Sequence, residues 1–207
     1  MRLDGWLAGR DERRTELKFL AERQRSQGEF APPDTIVVHP YGRFCNAYKF
    51  AGETDVFEAT EAAEKAYGTD PARRAIRGFS MGGARTWHLA AHHPWFWRGA
   101  APGAGFVDTA VYTGILSAPV PPPQWEQTLW RLYDVPGYAL NLRLLDVIAY
   151  SGERDKQRLA ADTMVEAAQA QGFQLEHIIG PGVEHRYEPG AKLELARQFD
   201  ARMSVPR

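Results

Sequence analysis

Gly78-Phe79-Ser80-Met81-Gly82 places a serine between small residues, directly after the apolar segment Ala75 to Phe79 and at the start of a helical pattern that Pro94 closes. A pentapeptide of this kind matches by chance in roughly one sequence in fifteen at ordinary glycine and serine usage of about 7%. Its weight therefore comes from its placement. Small flanking residues permit a strained strand-to-helix turn that lifts the serine oxygen out of the backbone, and Gly83 lets that turn sit close to its neighbours. At a helix N-terminus the backbone dipole also favours a developing oxyanion. The chemistry this suggests is nucleophilic attack by Ser80 on an acyl carbon.

A serine hydroxyl is a weak nucleophile at neutral pH, so it needs a histidine base and a carboxylate to orient that base, in the chain order serine, acid, histidine. Both follow. The segment Leu145 to Tyr150 runs into Ser151-Gly152-Glu153-Arg154-Asp155, and Leu175 to Ile179 runs into Gly180-Pro181-Gly182-Val183-Glu184-His185. Asp155 and His185 are the candidates, with Glu153 the rival acid, read as solvated or as fixing the turn. His88, His92 and His93 lie on or just after the helix behind Ser80, and His177 lies within an apolar segment. Surface or packing roles are expected for these four.

The elements that must position these residues are short apolar segments alternating with longer helical patterns, the signature of parallel strands joined by crossover helices. Six strands are expected, at Leu3 to Leu7, Thr35 to His39, Ala75 to Phe79, Arg98 to Ala101, Leu145 to Tyr150 and Leu175 to Ile179. The fold class is α/β, a three-layer α/β/α sandwich on a mostly parallel sheet, in one domain over residues 1–207. Each candidate then lies just past a strand's C-terminal end, where open α/β sheets place their sites. Thr54 and Asp55 are expected to open a helix through Tyr67, Lys156 to Gln171 to form one stopped by Gly172, and Pro189 to start the last helix, through Phe199. Gly103 to Asn141 is too long for a simple connection and carries five prolines with Phe106, Tyr112, Trp125, Trp130, Tyr133 and Tyr138. It reads as an insertion covering a pocket, with Trp125 and Trp130 as candidate substrate walls favouring apolar or aryl acyl groups.

Composition excludes several alternatives. The 25 basic and 26 acidic side chains leave a formal net charge of −1, so no global field recruits nucleic acid or an anionic membrane. Cys45 is the single cysteine and has no partner for a disulfide or a thiolate zinc site. No apolar run reaches the roughly 20 residues that span a bilayer, and the charged start at Met1 to Arg14 does not read as a signal peptide. A cytoplasmic enzyme is expected. No H-E-x-x-H or clustered Cys/His motif points to a metal.

Taken together, the elbow, the acid turn and the histidine loop resemble the α/β-hydrolase superfamily, closest to its esterase and prolyl-oligopeptidase-like (dienelactone-hydrolase-like) branch, over nearly the whole chain. The resemblance implies a Ser80–His185–Asp155 triad, no cofactor, and an oxyanion hole made by the Met81 N–H together with an amide of the loop Ala8-Gly9-Arg10-Asp11, from Gly9 or Arg10. Family members often carry His-Gly in this loop, and Ala8 departs from that. Tyr41 and Arg43, after the next strand, would form pocket wall. The family sheet usually has two strands before the oxyanion strand, whereas this chain begins with that strand. Thr35 to His39 would then be a sheet edge bearing Ile36, Val37 and Val38, which suggests a homodimer. The implied activity is hydrolysis of a small-molecule carboxylic ester. The alternatives are a prolyl-oligopeptidase-like peptidase and a catalytically impaired hydrolase-like binding protein.

Overall fold

The computed structural model describes residues 1–43 and 45–205. Its strands are β1 (Arg2–Leu7), β2 (Thr35–Val38), β3 (Arg74–Phe79), β4 (Gly99–Gly103), β5 (Asp146–Gly152) and β6 (Glu176–Gly180), all parallel, in the spatial order β2-β1-β3-β4-β5-β6. Parallel neighbours need crossovers. These carry helices α1 (Glu16–Arg25), α2 (Ala51–Tyr67), α3 (Met81–His92), α4 (Thr109–Thr113), α5 (Gln124–Trp130) and α6 (Arg158–Ala170), and α7 (Pro189–Ser204) follows β6.

The chain steps outward from β1 to β2, then returns across β1 to β3 and continues to β6. The order therefore reverses between β1 and β3, and the loops after those two strands meet at the crevice where open sheets bind ligands. The register keeps the strand ends level, with Leu7 opposite Gly78, Phe79 opposite Gly103 and Gly152 opposite Gly180. Ser80 and the loops that begin at Ala8, Glu153 and Pro181 thus leave the sheet along one edge.

Successive strand residues point to opposite faces, and each face has its own core. Ile76, Ala100, Val147 and Ala149 pack with Val56 of α2, Trp87 and Leu89 of α3 and Met164 of α6. Ala75, Ala101, Ile148 and Tyr150 pack with Leu195, Phe199 and Met203 of α7. This is the three-layer arrangement, and burial on both sides explains the continuous apolar strand segments.

Several boundaries differ from expectation. Helix α2 starts at Ala51, so Thr54 and Asp55 lie inside it; Phe50 precedes the helix without a side-chain cap, and Asp55 instead pairs with Arg43. Helix α7 continues beyond Phe199 to Ser204, because Met203 extends its buried stripe. The 103–141 segment is partly helical, holding α4, α5 and stretches of 3₁₀ helix at Ile115–Ser117 and Pro136–Leu144.

Candidate active site

Ser80 joins β3 to α3 with φ 61° and ψ −120°, a left-sided conformation that costs a non-glycine residue about 1–3 kcal/mol and persists only where its surroundings hold it. Two features hold it. The Ser80 N–H donates to the Gly103 carbonyl and the Ser80 carbonyl accepts from the Ala84 N–H, each at 2.9 Å. The turn also presses on the loop after β1 so closely that a Cβ on Gly82 would overlap the Leu7 carbonyl. Small residues at 78 and 82 are thus a packing requirement of the elbow. Ser80 itself is half-buried, and Met81 occupies the first helical turn, whose N–H groups have no intrahelical acceptor.

Asp155 and His185 meet. His185 Nδ1 lies 2.7 Å from Asp155 Oδ2, and the carboxylate's other oxygen accepts the Gln157 N–H at 2.8 Å. The Asp155 side chain is 3% exposed and that of His185 is 40% exposed, so the acid is shielded while the imidazole reaches the open edge. The two loops are stitched by the Glu153 and Arg154 N–H groups, which donate to the Gly180 and Val183 carbonyls at 2.9 Å each. Glu153, the rival acid, accepts the Gly182 N–H at 2.7 Å and so shapes the histidine loop. The His185 ring packs on Phe79, next to Ser80 in the chain, with centroids 4.8 Å apart. Among the described residues no hydrogen bond joins Ser80 to His185.

The loop after β1 adjoins the elbow, since a Cβ on Gly9 would lie 3.6 Å from the Ser80 Cβ. The Ala8 N–H is already spent on the Tyr48 hydroxyl at 2.7 Å. Arg10 is exposed and its guanidinium pairs with Glu12. Tyr41 and Arg43 line a small cleft together with Gly9 and Met81, and the Tyr41 hydroxyl donates to the Arg14 carbonyl.

A larger apolar cavity, about 330 Å³, lies between the start of the 103–141 segment and the start of α6, lined by Phe106, Val107, Val111, Tyr112, Leu159 and Ala160 among others. It is tied to the edge that carries Ser80 and His185 through Gln157, whose backbone N–H donates to Asp155 and whose Oε1 accepts the Gly105 N–H at 2.9 Å. Trp125 is largely in solvent, and neither it nor Trp130 lines this cavity or the cleft beside Gly9. The aromatic wall instead comes from Phe106 and Tyr112, stacked with centroids 4.2 Å apart. The tryptophans sit at the two ends of α5, whereas Phe106 immediately follows the β4 turn and is thereby kept near the edge. Gln157 was not among the sequence candidates; its role depends on a contact with Gly105, far away in the chain.

Of the histidines on or just after α3 and in β6, His88 is buried and His92, His93 and His177 are half-buried. His88 and His93 converge on Glu53, with Nε2–carboxylate distances of 3.4 and 2.7 Å. This trio has the donor set of a divalent-metal site, and it was invisible as a motif because Glu53 belongs to another helix. The Arg85 guanidinium, itself buried, pairs with the same carboxylate, so the negative charge a cation would need is already neutralised. His177 Nε2 lies 2.7 Å from Ser151 Oγ, and its Nδ1 lies 3.5 Å from Asp162. That second serine–histidine–carboxylate row lacks an elbow, and Ser151 is fully buried within β5, out of reach of a substrate.

A level sheet edge carrying a strained serine elbow and a carboxylate-bound histidine defines an α/β-hydrolase fold of the serine hydrolase class. Within it the chain belongs to the prolyl oligopeptidase family, whose sequence profile matches residues 44–201. No curated protein matches. Similar solved structures include FphF, a fluorophosphonate-binding serine hydrolase of Staphylococcus aureus solved with substrate bound (TM-score 0.65, 15% identity, 99% of this chain and 84% of that one). TT1662 of Thermus thermophilus is similar too (0.67, 14%, 99% and 90%), as is a ferulic acid esterase (0.65, 18%, 98% and 84%). At these identities the likeness is one of fold.

Proposed function

We propose that this protein hydrolyses carboxylic esters of small molecules through an acyl-enzyme on Ser80. The observation that carries the reading is the Asp155–His185 hydrogen bond on the same edge as the Ser80 elbow. Asp155 takes the Nδ1–H of His185 and fixes the tautomer that leaves Nε2 free to accept the Ser80 proton. Ser80 Oγ attacks the acyl carbon, and the oxyanion is received by the Met81 N–H and an amide at Gly9 or Arg10. His185 then protonates the departing alcohol, and a water activated by the same imidazole releases the acid. The Ser80–His185 bond closes in the substrate complex, as such bonds commonly do.

Support for a bulky apolar acyl or aryl group comes from the cavity between Phe106 and Leu159, whose rim leaves Val111, Tyr112 and Leu159 more than half exposed; apolar rims of this kind mark ligand surfaces. A ferulic acid esterase among the structural neighbours is consistent with an aromatic acyl group. A second reading, peptide hydrolysis, is favoured by the family match. A panel of p-nitrophenyl esters of rising acyl size, run beside an aminoacyl and prolyl p-nitroanilide panel on wild type and Ser80→Ala, separates the two. Ester turnover that vanishes in the variant supports the proposal. Anilide turnover that exceeds ester turnover transfers it to a peptidase, and no turnover of either by folded protein supports a binding role.

A further inference from the structure

We propose that Tyr48 is the positioning residue of the oxyanion loop, its buried hydroxyl fixing the backbone of Ala8 and so aiming the amides that follow. The catalytic consequence rests on the ester-hydrolase reading above, while the clamp itself is a matter of geometry. The Ala8 N–H donates to Tyr48 Oη at 2.7 Å, and that hydroxyl faces the Ala8 carbonyl at 3.5 Å. Both backbone polar groups of one residue are thus directed at one phenol. The same stretch is pressed on the elbow, where the Leu7 and Ala8 carbonyls abut Gly82 and Gly9 abuts the Ser80 Cβ. The end of β1 at Leu7 and the loop residues Ala8 and Gly9 are therefore held between a buried tyrosine and the nucleophile's own turn.

The surroundings of Tyr48 are shaped to keep it there. Gly42 has φ +65°, and a Cβ at that position would lie inside the Tyr48 ring. Ala47 and Tyr48 are themselves at φ 57° and 54°, positions that non-glycine residues hold only when tertiary contacts over-determine them. The ring is 1% exposed, and burial raises the phenol's pKa further above its ordinary value, so the hydroxyl stays protonated throughout the enzyme's working range. Ala8 stands where the resemblance leads one to expect a histidine. Tyr48 supplies a loop-shaping side-chain hydrogen bond from a different segment. The Ala8 N–H is occupied, which agrees with a second oxyanion donor at Gly9 or Arg10.

Tyr48→Phe keeps the ring and removes the hydroxyl. It is expected to lower kcat on p-nitrophenyl acetate about ten- to hundred-fold, somewhat less than deletion of a direct oxyanion donor, with KM within about twofold and the shape of the pH–kcat profile unchanged. Gly42→Ala, which displaces the ring, should reproduce the effect. Met203→Ala, which destabilises the core beneath the opposite end of β4, should lower Tm without lowering kcat. Amide hydrogen exchange of the peptide spanning Leu7 to Arg10 should accelerate in Tyr48→Phe, a readout that needs no turnover. Unchanged kcat with unchanged exchange overturns the proposal, as does a rise in KM alone, which would make Tyr48 pocket wall. An inactive wild type whose loop protection still depends on Tyr48 overturns the ester-hydrolase reading and leaves the clamp standing.

Discussion

Ser80, Asp155 and His185 act as a unit only if each is useless without the others. Ser80→Ala and His185→Ala should each abolish nearly all ester turnover, and the double variant should be little worse, because residues sharing one transition state lose their effects non-additively. Additive losses in steady-state kinetics would assign them separate roles. The Ser80 elbow and the pairing of Asp155 with His185 on the same edge are legible as geometry because each residue sits in a short turn whose signals are local: small residues around Ser80, Gly152 before Asp155, and the glycine-containing loop before His185. Glu153 was legible in the same way and does shape a turn. Tyr48 and Gln157 were not, since their partners Ala8 and Gly105 come near only after the sheet has formed. The Glu53–His88–His93 cluster escaped for the same reason.

The six strands were legible because burial on both faces leaves an apolar run bounded by turns, and the helix ends at Gly172 and Pro189 because their backbone restrictions are intrinsic. The start of α2 is not legible locally, because Thr54 is a cap by residue type that the helix, which begins at Ala51, does not use. In the 103–141 segment, aromatic content alone could not rank Trp125 and Trp130 against Phe106 and Tyr112; distance from the strand end decides. The cavity these last two line gives a prediction at the scale of elements. Leu159→Trp, on the first turn of α6, should fill part of it, raising KM several-fold for p-nitrophenyl esters of bulky acids while sparing the acetate. Equal effects on both, measured as a KM series over acyl size, would place the acyl group elsewhere.

Folding buries His88 and half-buries His39, and the whole molecule should register this as pH-dependent stability. Burial pushes His39 down to about 4 and His88 down to about 2, with nearby arginines adding to the effect. Below about pH 6.5 the unfolded chain takes up these protons and the folded one does not. The contribution is thus complete above that pH and is lost as pH falls, by up to about 1.4 kcal/mol per unit for buried His88 and by less for the half-buried His39, whose loss ends near pH 4. Denaturant titrations at pH 7 and 5 should show the drop, and His88→Gln should reduce its slope by one proton's worth; an unchanged slope would contradict the assignment. The open edge at β2, half-buried along its length, carries the expectation of a homodimer. Light scattering at micromolar concentration should give twice the chain mass, and Val37→Lys should halve it. A monomeric wild type, or a dimer indifferent to the lysine, would remove this edge as the interface. No helix among the described residues is long and apolar enough to cross a membrane. Ser80 as the nucleophile is tested most directly by intact-protein and peptide mass spectrometry after treatment with a fluorophosphonate probe. One adduct per chain is expected, on the peptide containing Ser80, with ester turnover lost in parallel and no adduct on Ser80→Ala; this is the result a Ser80 nucleophile requires. A folded wild type that stays unlabelled, or carries its adduct on Ser151, would contradict it.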